Sequence, residues 1–413
     1  MKFSQGFRFT WCHFRERKSG AGFTLIELLV VIGVVATLAT AVILVLNPAE
    51  LLAGARDSTR LSDLAALNSA LTFFQADQYN QSMGTSSTVY VSVPDSSPTC
   101  ANLGLPALPG GWSYSCSNST NYQKVDGTGW LSINFNLLSS GSPLSRIPID
   151  PVNTTTTGNY YTYTPGGSWH ITAYLEAAKN KMGGGSDKAS TDTGSYPDLY
   201  EVGTNLTLLP VSRDSSLVGY WKFDEGTGGT TYDVSGHGKT GTLTNGPSWL
   251  TSSSCGASNC LSFDGVNDYV TFESVGSSVF TRMAWVYPLT TTACTGDGRC
   301  TWMNPYLELS AGSLQYYSNY FTSGGWVTGG SITLNAWQQV AVTFNGSQVT
   351  LYVNGQQVQS APRTVTGFGY TNYIGANGAT PTDRNFSGRI DNVRIYNRVL
   401  SAAEIQAIYN ATQ

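Results

Sequence analysis

A catalytic site needs paired carboxylates or a nucleophile beside a base, and a metal site needs clustered ligands. This chain offers few of either. Its three histidines, His13, His170 and His237, exclude a dense histidine metal site and leave histidine catalysis few chances. Acids stand close in sequence as Asp224 with Glu225 and as Asp264 with Asp268, and His237 lies alone in the glycine turn VSGHGKTG. Aromatic rings are better supplied. Tyr316, Tyr317, Tyr320 and Trp326 cluster in LQYYSNYFTSGGW, and ring faces of this kind stack on sugars through their apolar area. Alternating aromatics are equally ordinary strand residues. Of seven cysteines, Cys12 lies near the N-terminus, which leaves Cys100, Cys116, Cys255, Cys260, Cys294 and Cys300. An even count outside the cytoplasm points to disulfides, in about 15 arithmetically open connectivities. Short separations favour Cys100–Cys116, Cys255–Cys260 and Cys294–Cys300; a zinc site from the last four is the alternative.

Composition narrows the class. Charged residues are 12% of the chain, half the roughly 25% of an ordinary soluble domain. Glycine numbers 45, and the surface reads as neutral and hydroxyl-rich, as in extracellular β proteins. A net charge of −4 argues against nucleic acid as a partner. Aromatics at 12% can build real cores, which excludes wholesale disorder. A length of 413 residues exceeds one average domain.

The elements that must position these residues begin with an anchor. The first 22 residues carry a net charge of +4, and an apolar run follows from Leu25 to Leu46. At about 1.5 Å per residue that run reaches roughly 33 Å, enough for a bilayer core of about 30 Å. The basic leader should stay cytoplasmic. Glu27, early in the run, is costly in lipid and needs a partner. The stretch AGFTLIELLVVIGVVATLA resembles the signal of type IV prepilins and type II secretion pseudopilins. The resemblance implies cleavage after Gly22 by a prepilin peptidase and N-methylation of Phe23. It also implies that Glu27 pairs with the N-terminal ammonium of a neighbouring pilin or pseudopilin subunit. The expected location is the inner or cytoplasmic membrane, crossed once, with the bulk of the chain extracytoplasmic, and a place in surface filaments.

Beyond Pro48, expected to kink the helix, Leu64, Leu67, Leu71 and Phe74 recur at helical spacing and should face a packed head. Arg56, Asp57, Arg60 and Asp63 read as a charged, solvated stretch before that stripe. From residue 81 the composition turns to Ser, Thr, Gly and Pro. YYTYT and SWHITAYLE alternate with period two about Pro165-Gly166-Gly167, a hairpin. Pro148, Asp150 and Pro151 resemble the loop of pseudopilin heads, where calcium binds nearby; Asp150 is thus a candidate ligand, with turn capping as the alternative.

From Leu217 a second unit begins. LVGYWKFDEGTGGTTYDVSGHGKTGTL, LSFDGVNDYVTF, NAWQQVAVTFNGSQVTLYVNGQQV and FSGRIDNVRIYNRVLSAAEIQAIY resemble the laminin-G-like, concanavalin A-like jelly rolls. Val340, Val342 and Phe344 alternate, Asn345-Gly346 and Asn354-Gly355 are tight-turn pairs, and Ser401 with Glu404 forms a capping box. In that family the acid pairs named above recur in noncatalytic members, so the resemblance implies no enzyme. It also implies a structural calcium, with Asp224, Asp233 and Asp391 at the matching positions. The expected fold is an α+β pilin-like head on a long N-terminal transmembrane helix, followed by an all-β concanavalin A-like jelly-roll sandwich. The expected divisions are a leader at 1–22, the pilin helix at 23–80, a β-meander head at 81–210, a linker at 211–216 and the jelly roll at 217–413. The expected function is a surface-displayed filament subunit with a lectin-like module for a glycan or other ligand, used in adhesion. The alternatives are a membrane-retained pseudopilin and a pilin-anchored enzyme acting on polysaccharide.

Overall fold

The computed structural model describes residues 24–256, 258–292, 294, 298–304, 306–322, 325–364, 370–378 and 384–413, without the side chains of 40–46, 370 and 371. Gly22, Phe23 and Cys12 therefore lie outside the described residues. The chain divides into two compact units, Met1–Leu52 and Ala53–Gln413.

In the first unit, α1 (Leu25–Leu46) opens with a capping box. The Thr24 hydroxyl accepts from the Glu27 amide at 3.2 Å, and the Thr24 amide donates to Glu27 Oε2 at 2.8 Å. Asn47 ends the helix in the left-handed region, at φ 40°. Pro48 then begins α2 (Pro48–Asp77) instead of kinking one continuous helix, because a proline at the first helical position gives up only an N–H that would be unpaired anyway. Among the described residues no helix is long and apolar enough to cross a membrane.

In the second unit, α2 buries Ala53, Asp57, Arg60, Leu64, Leu67, Leu71 and Phe74, a stripe spaced alternately by four and three residues. Two of its members correct the expected solvated stretch, because Asp57 and Arg60 are both fully buried. Arg60 reaches Asp150 with two parallel bonds, Nε to Oδ2 at 2.6 Å and Nη2 to Oδ1 at 2.9 Å. Its Nη1 donates to Asp57 at 2.9 Å and to Glu176 at 2.7 Å. Asp57 also accepts from the amides of Glu176 and Ala177 and from Asn180 Nδ2. Asp150 is thus the fork partner of a buried arginine.

The stripe packs on a five-stranded sheet with Tyr161, Tyr163, Trp169 and Ile171. Its strands are β1 (Thr88–Val91), β2 (Ser113–Cys116), β3 (Thr162–Pro165), β4 (Trp169–Tyr174) and β5 (Leu199–Gly203), in the order β2-β1-β3-β4-β5. Only β1 and β2 run parallel; β3, β4 and β5 form an antiparallel meander.

The rest is a sandwich. Its strands are β6 (Leu217–Trp221), β7 (Thr230–Thr231), β8 (Gly241–Thr244), β9 (Ser248–Leu250), β10 (Cys260–Asp264), β11 (Tyr269–Gly276), β12 (Phe280–Pro288), β13 (Cys300–Met303), β14 (Leu307–Ser310), β15 (Ser313–Tyr316), β16 (Val327–Gly329), β17 (Gln338–Phe344), β18 (Gln348–Val353), β19 (Gln356–Pro362), β20 (Tyr370–Ile374) and β21 (Ser387–Tyr396). One sheet runs β19-β18-β17-β12-β21-β10-β9, with β6 also on β21; the other runs β16-β15-β14-β13-β20-β11-β8-β7. Between them lie Trp221, Phe263, Trp302, Val340, Val342, Leu351, Ile390 and Val393. A short helix, α3 (Ser252–Cys255), and the capped α4 (Ala402–Ala411) complete the unit. Among the described residues, the disulfides Cys100–Cys116, Cys255–Cys260 and Cys294–Cys300 close local loops.

The meander sheet and the sandwich share a core. Val89, Tyr196, Leu199 and Leu209 cluster with Tyr220, Met283, Tyr396, Ile405 and Ile408. Within the expected linker, Val211 and Ser212 are buried, and the Ser212 amide donates to Val234 O at 2.7 Å. Polar groups line the same joint. His170 Nδ1 accepts from the Leu209 amide at 3.2 Å, and its Nε2 meets Glu201 Oε1 at 2.7 Å. Burial pushes Glu201 up to about 8, and burial with the nearby Glu201 charge does the same to Asp192. Burial beside Asp224 likewise pushes Asp391 up to about 8. Burial drives His170 down to about 3, so it stays neutral and its opposing contribution is confined below about pH 6.5.

These acids hold their protons in the folded chain at pH values where the unfolded chain has lost them. Stability should therefore fall as pH rises from about 6.5 to 8, by up to about 1.4 kcal/mol per pH unit for each group still protonated. Urea unfolding at several pH values checks this; flat stability across that window would show the acids to be ionised in the fold.

Candidate functional site

β14 decides the geometry of one candidate face. Leu307 and Leu309 point into the sandwich core, so Glu308 between them points to the other side of the sheet. That side carries an aromatic cluster. The Tyr317 and Trp326 rings lie 5.1 Å apart at 30°, and Tyr306 meets them edge-on at 5.5 Å and 6.0 Å. The Arg299 guanidinium stands 4.3 Å from the centre of the Trp326 ring, and that of Arg384 stands 5.2 Å from Tyr306. Glu308 is fully buried beneath them. It accepts from Arg384 Nη1 at 3.0 Å and from Thr301 Oγ1 at 3.2 Å. Burial pushes Glu308 up to about 7, against the pull of Arg384. Tyr306, Tyr317 and Trp326 are half-buried. Aromatic area with two guanidinium groups alongside can hold the apolar face of a sugar ring and donate hydrogen bonds to its oxygens.

The four aromatics expected to bind together do not share this face. Tyr317 and Trp326 stack within it, and Tyr320 is 40% exposed on the following loop. Tyr316 is 3% exposed inside the sandwich, edge-on to Phe280 and Phe321. The correction follows from strand alternation, which sends neighbours in a strand to opposite faces. Sequence reasoning missed Tyr306, Arg299, Arg384 and Glu308. The acid between two leucines in LEL was the available signal for Glu308.

From the sequence, Asp224, Asp233 and Asp391 are expected to share one calcium ion. Among the described residues no group of three or more His, Cys, Asp or Glu side chains is placed to hold a metal ion. Asp233 is committed locally: Oδ1 accepts from the amides of Tyr220 and Ser235, and Oδ2 from that of Lys239, all at 2.9 Å. Asp391 lies close enough to Asp224 to feel its charge and accepts from the amide and Nδ2 of Asn392.

Comparison with known proteins agrees with this architecture. The Concanavalin A-like lectin/glucanases superfamily matches residues 264–406, and the prokaryotic N-terminal methylation motif matches residues 17–43. The chain therefore carries a pilin-type methylation motif and a laminin-G-like, concanavalin A-like domain. No curated protein matches the chain. Among solved structures, domain 4 of an extracellular arabinanase from Geobacillus stearothermophilus, in complex with arabinotriose, is 18% identical. That match covers 48% of this chain and 98% of that one, with a TM-score of 0.35. The binding domain of Paraclostridial Mosquitocidal Protein 1 is 17% identical over 48% of this chain and 52% of that one, with a TM-score of 0.38. A Trypanosoma rangeli sialidase is 20% identical over 49% of this chain and 33% of that one, with a TM-score of 0.34.

These neighbours correct one expectation. An arabinanase domain and a sialidase are among the structures to which this chain is similar, and the reading of this chain as no enzyme is withdrawn. The matches extend over the β-sandwich alone and carry no catalytic activity across.

Proposed function

We propose that this chain is a pilin-like filament subunit that presents a saccharide-binding sandwich at the cell surface, for adhesion. The observation that carries the reading is the union, in one chain, of the methylation motif at 17–43 and the lectin-like domain at 264–406. The motif implies processing by a prepilin peptidase and assembly with other pilins. In this proposal cleavage follows Gly22, Phe23 becomes the methylated N-terminus, and Glu27 neutralises the amine of a neighbouring subunit. The segment Leu25–Leu46 is the membrane anchor before assembly. The Tyr306, Tyr317 and Trp326 face holds the sugar.

The test uses surface filaments sheared from producing cells. The subunit in them should begin at Phe23 by mass spectrometry, and the filaments should bind members of a glycan array. Trp326→Ala filaments should assemble normally and bind at least about tenfold more weakly, the loss of one well-placed aromatic contact. A chain retained wholly in the membrane fraction would overturn surface display and favour the pseudopilin reading. Undiminished binding by the variant would remove the aromatic face from the proposal.

A further inference from the structure

Among the described residues, Arg60, Arg282 and Arg394 are each at most 2% exposed. Two have close polar partners. Arg60 faces Asp57, Asp150 and Glu176. Arg394 donates to the Tyr220 hydroxyl at 2.5 Å, with its guanidinium 4.1 Å from the centre of the same ring. Arg282 differs. It projects from β12 into the space between the sheets, on the same side as the core residues Phe280, Ala284 and Val286. It is 2% exposed. Its guanidinium lies 4.3 Å from the Phe280 ring centre, and Nη1 makes one long bond, 3.4 Å, to Asn304 O. Its Nε is buried with no hydrogen-bond partner. Among the described residues no carboxylate pairs with it. The one titratable neighbour acting on it is the Tyr316 hydroxyl.

A guanidinium has five donors and cannot escape its charge by deprotonation at physiological pH. Burial pushes Arg282 down only to about 10, so it remains a cation. An uncompensated buried charge is among the costliest features a core can hold. Water would satisfy a donor without neutralising the charge. Asn304 and Tyr316 beside it are themselves buried, and an interior packed at crystal density has no room for an anion with substituents.

We propose that Arg282 anchors a buried site for a small monovalent anion of the halide class, with the Tyr316 hydroxyl beside it. The ion neutralises the guanidinium and takes the unsatisfied Nε–H. It also ties β12 to the segments that carry the binding face, because Asn304 stands two residues before Tyr306 and Tyr316 immediately precedes Tyr317. The site is independent of whether the face binds sugar.

The full chain in detergent is melted in a sodium chloride series balanced with sodium gluconate to constant ionic strength. Gluconate is too large for the interior and serves as the inert counter-ion. Chloride should raise the wild-type melting temperature saturably, by about 2–4 °C. Arg282→Met should melt at one temperature throughout. Equal wild-type melts in both salts would overturn the site, as would a chloride effect that survives in the variant and so belongs to the surface. Should Arg282→Met fail to fold, bromide in wild-type crystals decides instead. An anomalous peak in contact with the guanidinium supports the site, and bromide found only elsewhere overturns it.

Discussion

Asp150→Ala should lower the unfolding free energy of the second unit by about 3–5 kcal/mol, the cost of removing one partner from a buried ion pair. The carboxylate it removes takes two of the Arg60 donors and is itself only 1% exposed. The cavity left by alanine is closed to water, so the freed N–H groups have nothing to bond. Asp57 and Glu176 remain on Nη1 and hold the guanidinium in place, which keeps the penalty from being relieved by rotation outward. The double variant Arg60→Met with Asp150→Leu should recover part of the loss, since an apolar pair of similar volume asks for no hydrogen bonds. Urea unfolding of the three proteins measures both effects. A loss below about 1 kcal/mol for Asp150→Ala would mean that water reaches the pair and that it behaves as a surface salt bridge.

The fragment Asp214–Gln413, produced alone, should be much less stable than the same residues within the whole chain. Composition and motifs change near residues 211–216, and on that ground alone the sandwich is expected to fold by itself. The packing points the other way. Tyr220, Met283 and Tyr396 lie in one cluster with Val89, Tyr196, Leu199 and Leu209 of the preceding residues. Each large apolar side chain that truncation uncovers fully forfeits about 1.5–3 kcal/mol. Backbone bonds are lost as well, among them Ala107 N to Gly236 O and Ser212 N to Val234 O. The fragment should bind an apolar dye and unfold at a lower urea concentration than the full chain. A dye-free fragment with the full chain's midpoint would show that the shared cluster adds nothing to the sandwich.

Much of this architecture was legible without coordinates, for local reasons. Capping boxes, hairpin turns and alternation depend on residues a few positions apart. Ser401 with Glu404 therefore caps α4, and Pro165-Gly166-Gly167 joins β3 to β4. The short-range disulfides are legible for the same reason. The stripe on α2 was legible in part. Counting back from Leu64 by four and three reaches Arg60, Asp57 and Ala53, all of which are buried. Reading charge as solvation hid that, because it tests residue type and ignores position on the helix.

What the sequence by itself determined is the methylation motif, the long apolar segment, the strand-rich sandwich and the aromatic supply from which a binding face could be built. Each is written in contiguous residues or in a period. What only the tertiary structure decided is pairing across distance. Arg60 meets Asp150 across ninety positions and Glu176 across 116. Tyr306, Tyr317, Trp326, Arg299 and Arg384 converge from four separate stretches, and Tyr316 is withdrawn from them into the core. Arg282 reads as one more charged strand residue until both sheets close over it. Burial and charge compensation are properties of what surrounds a side chain, and those surroundings come from strands that the sequence leaves far apart.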